Sequence, residues 1–232
     1  MWAVLPIKNL ENVKSRLAPS LSLPERVELF GNMVEDVILA VSAVPAFDGI
    51  LVVTRDPDIQ ALAATFGASV LEEGSNDGHD MAVLRATRWL LARGETGLMQ
   101  LPGDIPTVTS DELSDVLEVH SRARTPGHTV TIAPSHDYGG TNCIVCSPPD
   151  VVPLKFGEDS FRRHLTRARL AGVESRVVEH PGIALDIDNP EDLARLAAKP
   201  GSTRTHRFLD HSGIGRRVMK SMPRFAKDRT TS

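Results

Sequence analysis

Short apolar runs alternate with longer stretches of helical periodicity along the first half of the chain. WAVLPI (2–7) ends in polar residues and predicts a buried strand. In PERVELFGNMVEDVILAVSAV (24–44), Val27, Phe30, Val34, Val37 and Val41 recur at helical spacing and Pro24 suits a first turn, so a helix is expected. GILVVT (49–54) predicts a second strand, followed by a helix over DPDIQALAATFG with Gly67 as its stop. SVLEE (69–73) and GLMQLPGD (97–104) predict two more strands on either side of a helix at 80–94. Thr109 and Glu112 have capping-box spacing and start a helix over 109–123.

These strands are apolar throughout rather than alternating, the pattern of strands covered on both faces. A mostly parallel sheet in a doubly wound α/β fold follows, with helices on both sides. After residue 125 the rhythm changes. TVTIAP and TNCIVCS flank SHDYGG and predict two strands with a loop between them. A basic helix is expected over 160–172, and Asn189 with Pro190 opens another over 189–199. The expected organisation is one domain over 1–199 and a basic tail over 200–232.

Charge sharpens that division. Residues 200–232 carry eight Lys/Arg against two Asp, about +6, whereas the other 199 residues carry 18 Lys/Arg against 28 Asp/Glu, or −10. An acidic body argues against a nucleic-acid surface. The tail reads as a solvated end, or as a segment that docks on the acidic body of a partner subunit in a homodimer. No apolar run is long enough to span a membrane, no secretory signal is visible, and two cysteines fit a reducing cytoplasm. Cys143 and Cys146 sit three apart on an expected strand and point to opposite faces, which favours core packing over metal binding. GIGRR in the tail does not follow a strand and is no dinucleotide fingerprint. His164, on the basic helix, reads either as a contact to an acidic ligand or as a surface histidine.

In doubly wound sheets ligands bind beyond the carboxyl ends of the strands. LPGDIPTVTSDEL puts Asp104 at such an end, held between Pro102 and Pro106, with Gly103 permitting the bend. ALDIDNPEDL adds Asp186 and Asp188, two apart on an extended segment and so aimed the same way. Carboxylates gathered at strand ends suit Mg²⁺, which takes one or two of them plus phosphate oxygens. The loop PIKNLENVKSRLAP supplies Lys8, Lys14 and Arg16, a cradle for a polyphosphate. No P-loop motif is present.

PIKNLENVKSRL, LPGDIP, DYGGTN, FGEDSFRRH and DIDNPEDL together resemble the guanylyltransferases that activate small phosphorylated carboxylic acids in coenzyme F-420 biosynthesis. More distantly they are similar to the nucleotidyltransferases that make nucleotide sugars and molybdenum-cofactor dinucleotides. The likeness spans about residues 1–198, and GGTN with FG-x-x-SF-x-x-H is its sharpest part. It implies a nucleotide-diphospho-sugar-transferase-like fold and attack by an acceptor phosphate on GTP. Asp104, Asp186 and Asp188 would hold Mg²⁺, and Lys8, Lys14, Arg16 and Asp104 would be catalytic. Pro6, Gly78, Asp80, Pro102 and Gly103 would meet the nucleotide, and Thr141, Gly157 and Ser160 the acceptor. Implied acceptors are 2-phospho-L-lactate, phosphoenolpyruvate or 3-phospho-D-glycerate. GHDMAV departs from the family's usual G-L-N-A-A-L by placing Asp80 where an asparagine stands, and an ionised Asp accepts but cannot donate. Other nucleotidyl transfers, and a non-catalytic nucleotide-binding module, are the alternatives.

Overall fold

The apolar runs become strands at β1 (Trp2–Pro6), β2 (Gly49–Val53), β3 (Ser69–Leu71) and β4 (Leu98–Gln100), then β5 (Thr129–Pro134), β6 (Thr141–Ser147) and β7 (Glu174–Val177). The computed structural model describes residues 1–8, 10, 13–72, 78–125 and 127–222. Among these, the strands form one sheet in the order β3-β2-β1-β4-β6-β5-β7. β1 to β4 run parallel, β6 is antiparallel to both neighbours, and β7 is parallel to β5. β7 has no counterpart among the expected strands. Its residues, ESRV, alternate half-buried with exposed, as an edge strand does, and carry no apolar run to reveal it.

Neighbouring residues of each strand feed opposite layers. Ala3, Leu5, Met99, Cys143 and Val145 face one core, whereas Val4, Leu98, Ile144 and Cys146 face the other. The two cysteines are free, fully buried and on opposite faces, as their spacing predicts. The first core is covered by α1 (Leu23–Ser42), α2 (Pro57–Thr65), α4 (Ser110–Ser121), the short α6 (Pro181–Ala184) and α7 (Pro190–Ala198), the second by α3 (His79–Leu91) and α5 (Ser160–Leu170). Local chemistry sets the helix starts. Ser22 and Glu25 form a capping box on α1, Thr109 and Glu112 one on α4, and the Asn189 side chain accepts from the Glu191 and Asp192 amides at α7.

The described part of the basic tail is not a solvated end. Residues 204–221 form α8 (Arg204–His211) and α9 (Ile214–Ser221), which complete the core against α1 and α7, so residue 199 marks no break in the packing. Burying Ile214, Val218 and Met219 is worth about 1.5–3 kcal/mol each, more than the exposed Arg217–Glu25 ion pair can add at about 0–1 kcal/mol. The amphipathic period of 205, 206, 209, 214, 218 and 219 carried this signal, masked by the density of charge. Buried Asp36 of α1 accepts from the Arg204 and Thr205 amides and the Thr205 hydroxyl at 2.6–2.9 Å, a carboxylate set at the positive end of α8. Arg204 and Arg217 of this segment pair with Glu35 and Glu25 of α1 in the same chain. Arg224 and Lys227 lie outside the described residues.

Candidate active site

β6 runs against its neighbours, so its first residue arrives at the sheet edge where β4 and β5 end: Thr141 pairs with Pro134, and Ile144 with Gln100. Reversal of this one strand brings GGTN to the same edge as LPGD. There the chain leaves Gln100 and bends through Pro102–Gly103–Asp104. A Cβ on Gly103 would lie 3.1 Å from Val34 Cγ2 and 3.5 Å from Ile7 Cγ1, so glycine lets the turn press onto α1. The Asp104 carbonyl accepts from the Ile187 amide at 3.0 Å, which ties this turn to the LDIDNP segment. Ile187 is fully buried, and its neighbours Asp186 and Asp188 point the other way, into the cleft.

Lys14 organises the charges. Its backbone is left-handed (φ 48°), opening the short 3₁₀ turn Ser15–Leu17. Its ammonium donates to Asp104 Oδ2 and, at 2.8 Å, to Asp188 Oδ1. Burial alone would depress the Lys14 pKa, but Asp104 and Asp188 together outweigh it and raise the value. Burial likewise pushes Asp188 up, yet Lys14, Arg16 and Lys8 hold it below the usual carboxylate range. Asp186 goes the other way, to about 6, because burial and then the Asp104 charge disfavour ionisation more than the Asn142 hydrogen bond (3.0 Å) favours it. Arg16 stands 3.8 Å from Asp188, three-quarters exposed, and Lys8 is exposed beside it.

Two clefts meet here. One of about 600 Å³ is lined by Pro6, Lys8, Lys14, Arg16, Pro102 and Gly103. The other, about 750 Å³, is lined by Gly139, Gly140, Thr141, Asn142, Gly157 and Ser160. Lys8, Arg16, His79, Asp104, Gly157 and Asp188 border both, so a ligand in either would face the same cations and carboxylates. The strand-end residues anticipated from sequence thus converge. Gly78 and Asp80 do not line either cleft. Asp80 Oδ1 instead accepts the Phe156 amide at 2.7 Å, a contact for which a carboxylate is well suited.

That contact is one of three that fix the loop before α5. Arg163 donates to the Phe156 carbonyl at 3.1 Å, and the Lys155 amide donates to His164 Nε2 at 3.0 Å. Gly157 follows at φ +91°, a conformation glycine adopts without strain, and Ser160 opens α5 fully buried. On the other wall, the Ser135 hydroxyl and the Gly139 amide both donate to Asp137 Oδ1, and the Gly140 amide donates to Ser135 Oγ. Sequence reasoning passed over His79, Gln100 and Asn142, each adjacent or close to a motif residue. It placed His164 on the surface or against a ligand, whereas the ring is fully buried.

The carboxylates fit a Mg²⁺ completed by phosphate oxygens rather than a ready-made cage. Among the described residues no three His, Cys, Asp or Glu side chains form such a cage. Asp104 and Asp188 nevertheless already share one cation, the Lys14 ammonium, and buried Asp104 Oδ1 has no hydrogen-bond partner. An acceptor-only oxygen left bare beside a second carboxylate is suited to a hard cation.

A mixed sheet with one reversed strand, and a cation-lined double cleft across carboxylates at the sheet's carboxyl edge, define a nucleotidyltransferase-type α/β protein. In fold it matches a putative nucleotide-diphospho-sugar transferase from Desulfovibrio desulfuricans G20, with a TM-score of 0.74 over 94% of this chain and 97% of that one, at 18% identity. Residues 1–227 match the family described as guanylyl transferase CofC like, and the chain belongs to that family of guanylyltransferases. It is 35% identical over 195 residues to a phosphoenolpyruvate guanylyltransferase of Conexibacter woesei, covering 84% of this chain and 86% of that protein. It is 33% identical over 194 residues to a 3-phospho-D-glycerate guanylyltransferase of Colwellia psychrerythraea, covering 84% and 90%.

Proposed function

We propose that the protein transfers GMP from GTP to the phosphate of a small phosphorylated carboxylic acid, releasing pyrophosphate, as a step of coenzyme F-420 biosynthesis. The observation that carries this reading is the junction of the two clefts at Asp104, Asp188, Lys8 and Arg16. An acceptor phosphate oxygen forms a bond to the α-phosphorus of GTP while the bond from that phosphorus to the β-phosphate oxygen breaks, and pyrophosphate carries the electron pair away. The nucleophile is already ionised, so no general base is required. What the chain supplies is position and countercharge.

Lys8 and Arg16 meet the triphosphate from the cleft rim, and the Pro6 and Pro102–Gly103 backbone lines the nucleotide side. Thr141, Gly157 and Ser160 hold the acceptor, whose carboxylate and phosphate stand on three carbons in phosphoenolpyruvate, 2-phospho-L-lactate and 3-phospho-D-glycerate alike. Asp104 and Asp188, with Asp186 beside them, would hold Mg²⁺, which supplies charge neutralisation at the phosphates when bound. We place the enzyme in the cytoplasm, where its two free cysteines stay reduced, and expect a homodimer in solution.

The test is to incubate the protein with Mg²⁺, each of GTP, CTP and ATP, and each of the three acceptors, following pyrophosphate and the coupled product. GTP with one acceptor should release pyrophosphate fastest. Absence of release with every pair overturns the reading.

A further inference from the structure

The Thr141 hydroxyl has one neighbour that decides its role. Its Oγ1 lies 3.0 Å from Nδ1 of His164, a histidine on α5 with no exposed surface. The other ring nitrogen, Nε2, receives the Lys155 backbone N–H at 3.0 Å. A backbone amide can only donate, so Nε2 carries no proton and the ring's single proton sits on Nδ1. That N–H points at Thr141 Oγ1, which must accept it. The hydroxyl proton is then free to be donated elsewhere, and Thr141 lines the acceptor cleft.

We propose that His164 is a positioning residue: held as the Nδ1–H tautomer between the Lys155 amide and Thr141, it commits the Thr141 hydroxyl to donate into the acceptor cleft, where it meets an anionic oxygen of the acceptor. This rests on the functional reading above and names the device that presets its acceptor subsite. Electrostatics keep the device in one state. Burial first, then the Arg167 and Arg163 charges, lower the His164 pKa to about 4 against the opposing pull of Asp80, so the ring stays uncharged at neutral pH. The Phe156 ring packs edge-on against the imidazole, with centroids 5.1 Å apart. One imidazole therefore links the backbone of the loop that leads into Gly157 to the first residue of β6. The two walls of the subsite are set in register by a single ring.

The test separates the donor from the packing. His164→Asn keeps an N–H donor near the Nδ1 position but loses the acceptor for Lys155. His164→Phe keeps the ring shape but can donate nothing. The acceptor KM should rise roughly 10-fold in His164→Phe, stay within about 3-fold of wild type in His164→Asn, and leave the GTP KM unchanged in both. In a Thr141→Val background, His164→Phe should add less than about 2-fold, because its effect passes through the hydroxyl. Nitrogen-15 spectra of the imidazole in the wild-type protein read the tautomer directly, whether or not a variant folds. A ring protonated on Nε2, or an unchanged acceptor KM in a folded His164→Phe enzyme, overturns the inference while leaving guanylyl transfer intact. A wild-type protein that releases no pyrophosphate with any acceptor overturns the functional reading and this inference with it.

Discussion

The Ile187 amide donates to the Asp104 carbonyl, and this 3.0 Å bond joins the turn after β4 to the irregular segment 185–188, more than eighty residues away. Each segment brings a carboxylate that is costly to keep beside the other. The backbone bond fixes their separation without using a side chain, which leaves Asp104 Oδ1 free. Replacing Asp104 by Asn keeps the turn and its carbonyl but removes the charge. Turnover should fall by about 100-fold or more with little change in melting temperature, read by pyrophosphate release and thermal unfolding. Loss of folding instead would assign Asp104 to the turn.

Lys14 already balances Asp104 and Asp188, so Lys14→Met should leave two close carboxylates without a counterion. The variant should lose about 2 kcal/mol, less than for a fully buried pair because the Asp188 side chain is 44% exposed. Mg²⁺ should restore more stability to Lys14→Met than it adds to the wild type, since a competing cation has gone. Melting curves with and without Mg²⁺ check this, and equal shifts would refute it.

Asp80 holds the loop before α5, which leads to the proposed acceptor residues Gly157 and Ser160, through the Phe156 amide. Asp80→Ala should therefore raise the acceptor KM several-fold and change the GTP KM by less than about 2-fold, since it leaves a part-buried amide unpaired. Steady-state kinetics against each substrate decide it. A rise confined to GTP would return Asp80 to the nucleotide.

Asp36 at the start of α8 gives a handle on the tail. Asp36→Ala removes the acceptor for three donors and should cost about 2–3 kcal/mol in urea unfolding. Deleting residues 200–232 should cost more, because it also uncovers the apolar faces of α1 and α7. An unchanged midpoint in both would show that the tail adds nothing.

Acid should unfold the protein through its buried histidines. Burial is the first cause that lowers His79, His120 and His164 to about 4, whereas unfolded histidine titrates near 6.5. Between those values the unfolded chain binds more protons, so stability is present above about pH 6.5 and is lost as pH falls toward 4. Unfolding free energies measured from pH 7.5 to 4.5 should drop with a slope steeper than one proton. His120→Gln should flatten it by removing one titrating group, which bonds the Thr131 and Ser147 hydroxyls.

Elements with one-residue-type logic were legible in sequence. Apolar runs gave β1, β2 and β4, and capping residues such as Thr109, Glu112 and Asn189 gave helix starts to within a residue or two. Strand-end placement brought out Asp104, whereas Asp186 and Asp188, expected after a strand, follow the short helix Pro181–Ala184 instead. What stayed hidden depended on partners far along the chain. The role of Asp80 is set by an amide 76 residues away, and Lys14 bridges to carboxylates 90 and 174 residues on. β7 and the docking of α8 and α9 carry few apolar residues per turn, so neither stands out against solvated segments.

The reversed direction of β6 has a consequence for how this enzyme can be altered. Residues of the first cleft leave the sheet from β1 and β4, whereas one wall of the second cleft enters it through the loop at 135–140. Lengthening or exchanging that loop would reshape one substrate's berth while the strands feeding the other stay in place. Under the proposed assignment of the clefts, the acceptor side would be open to redesign through this loop while the β1 and β4 ends keep their course.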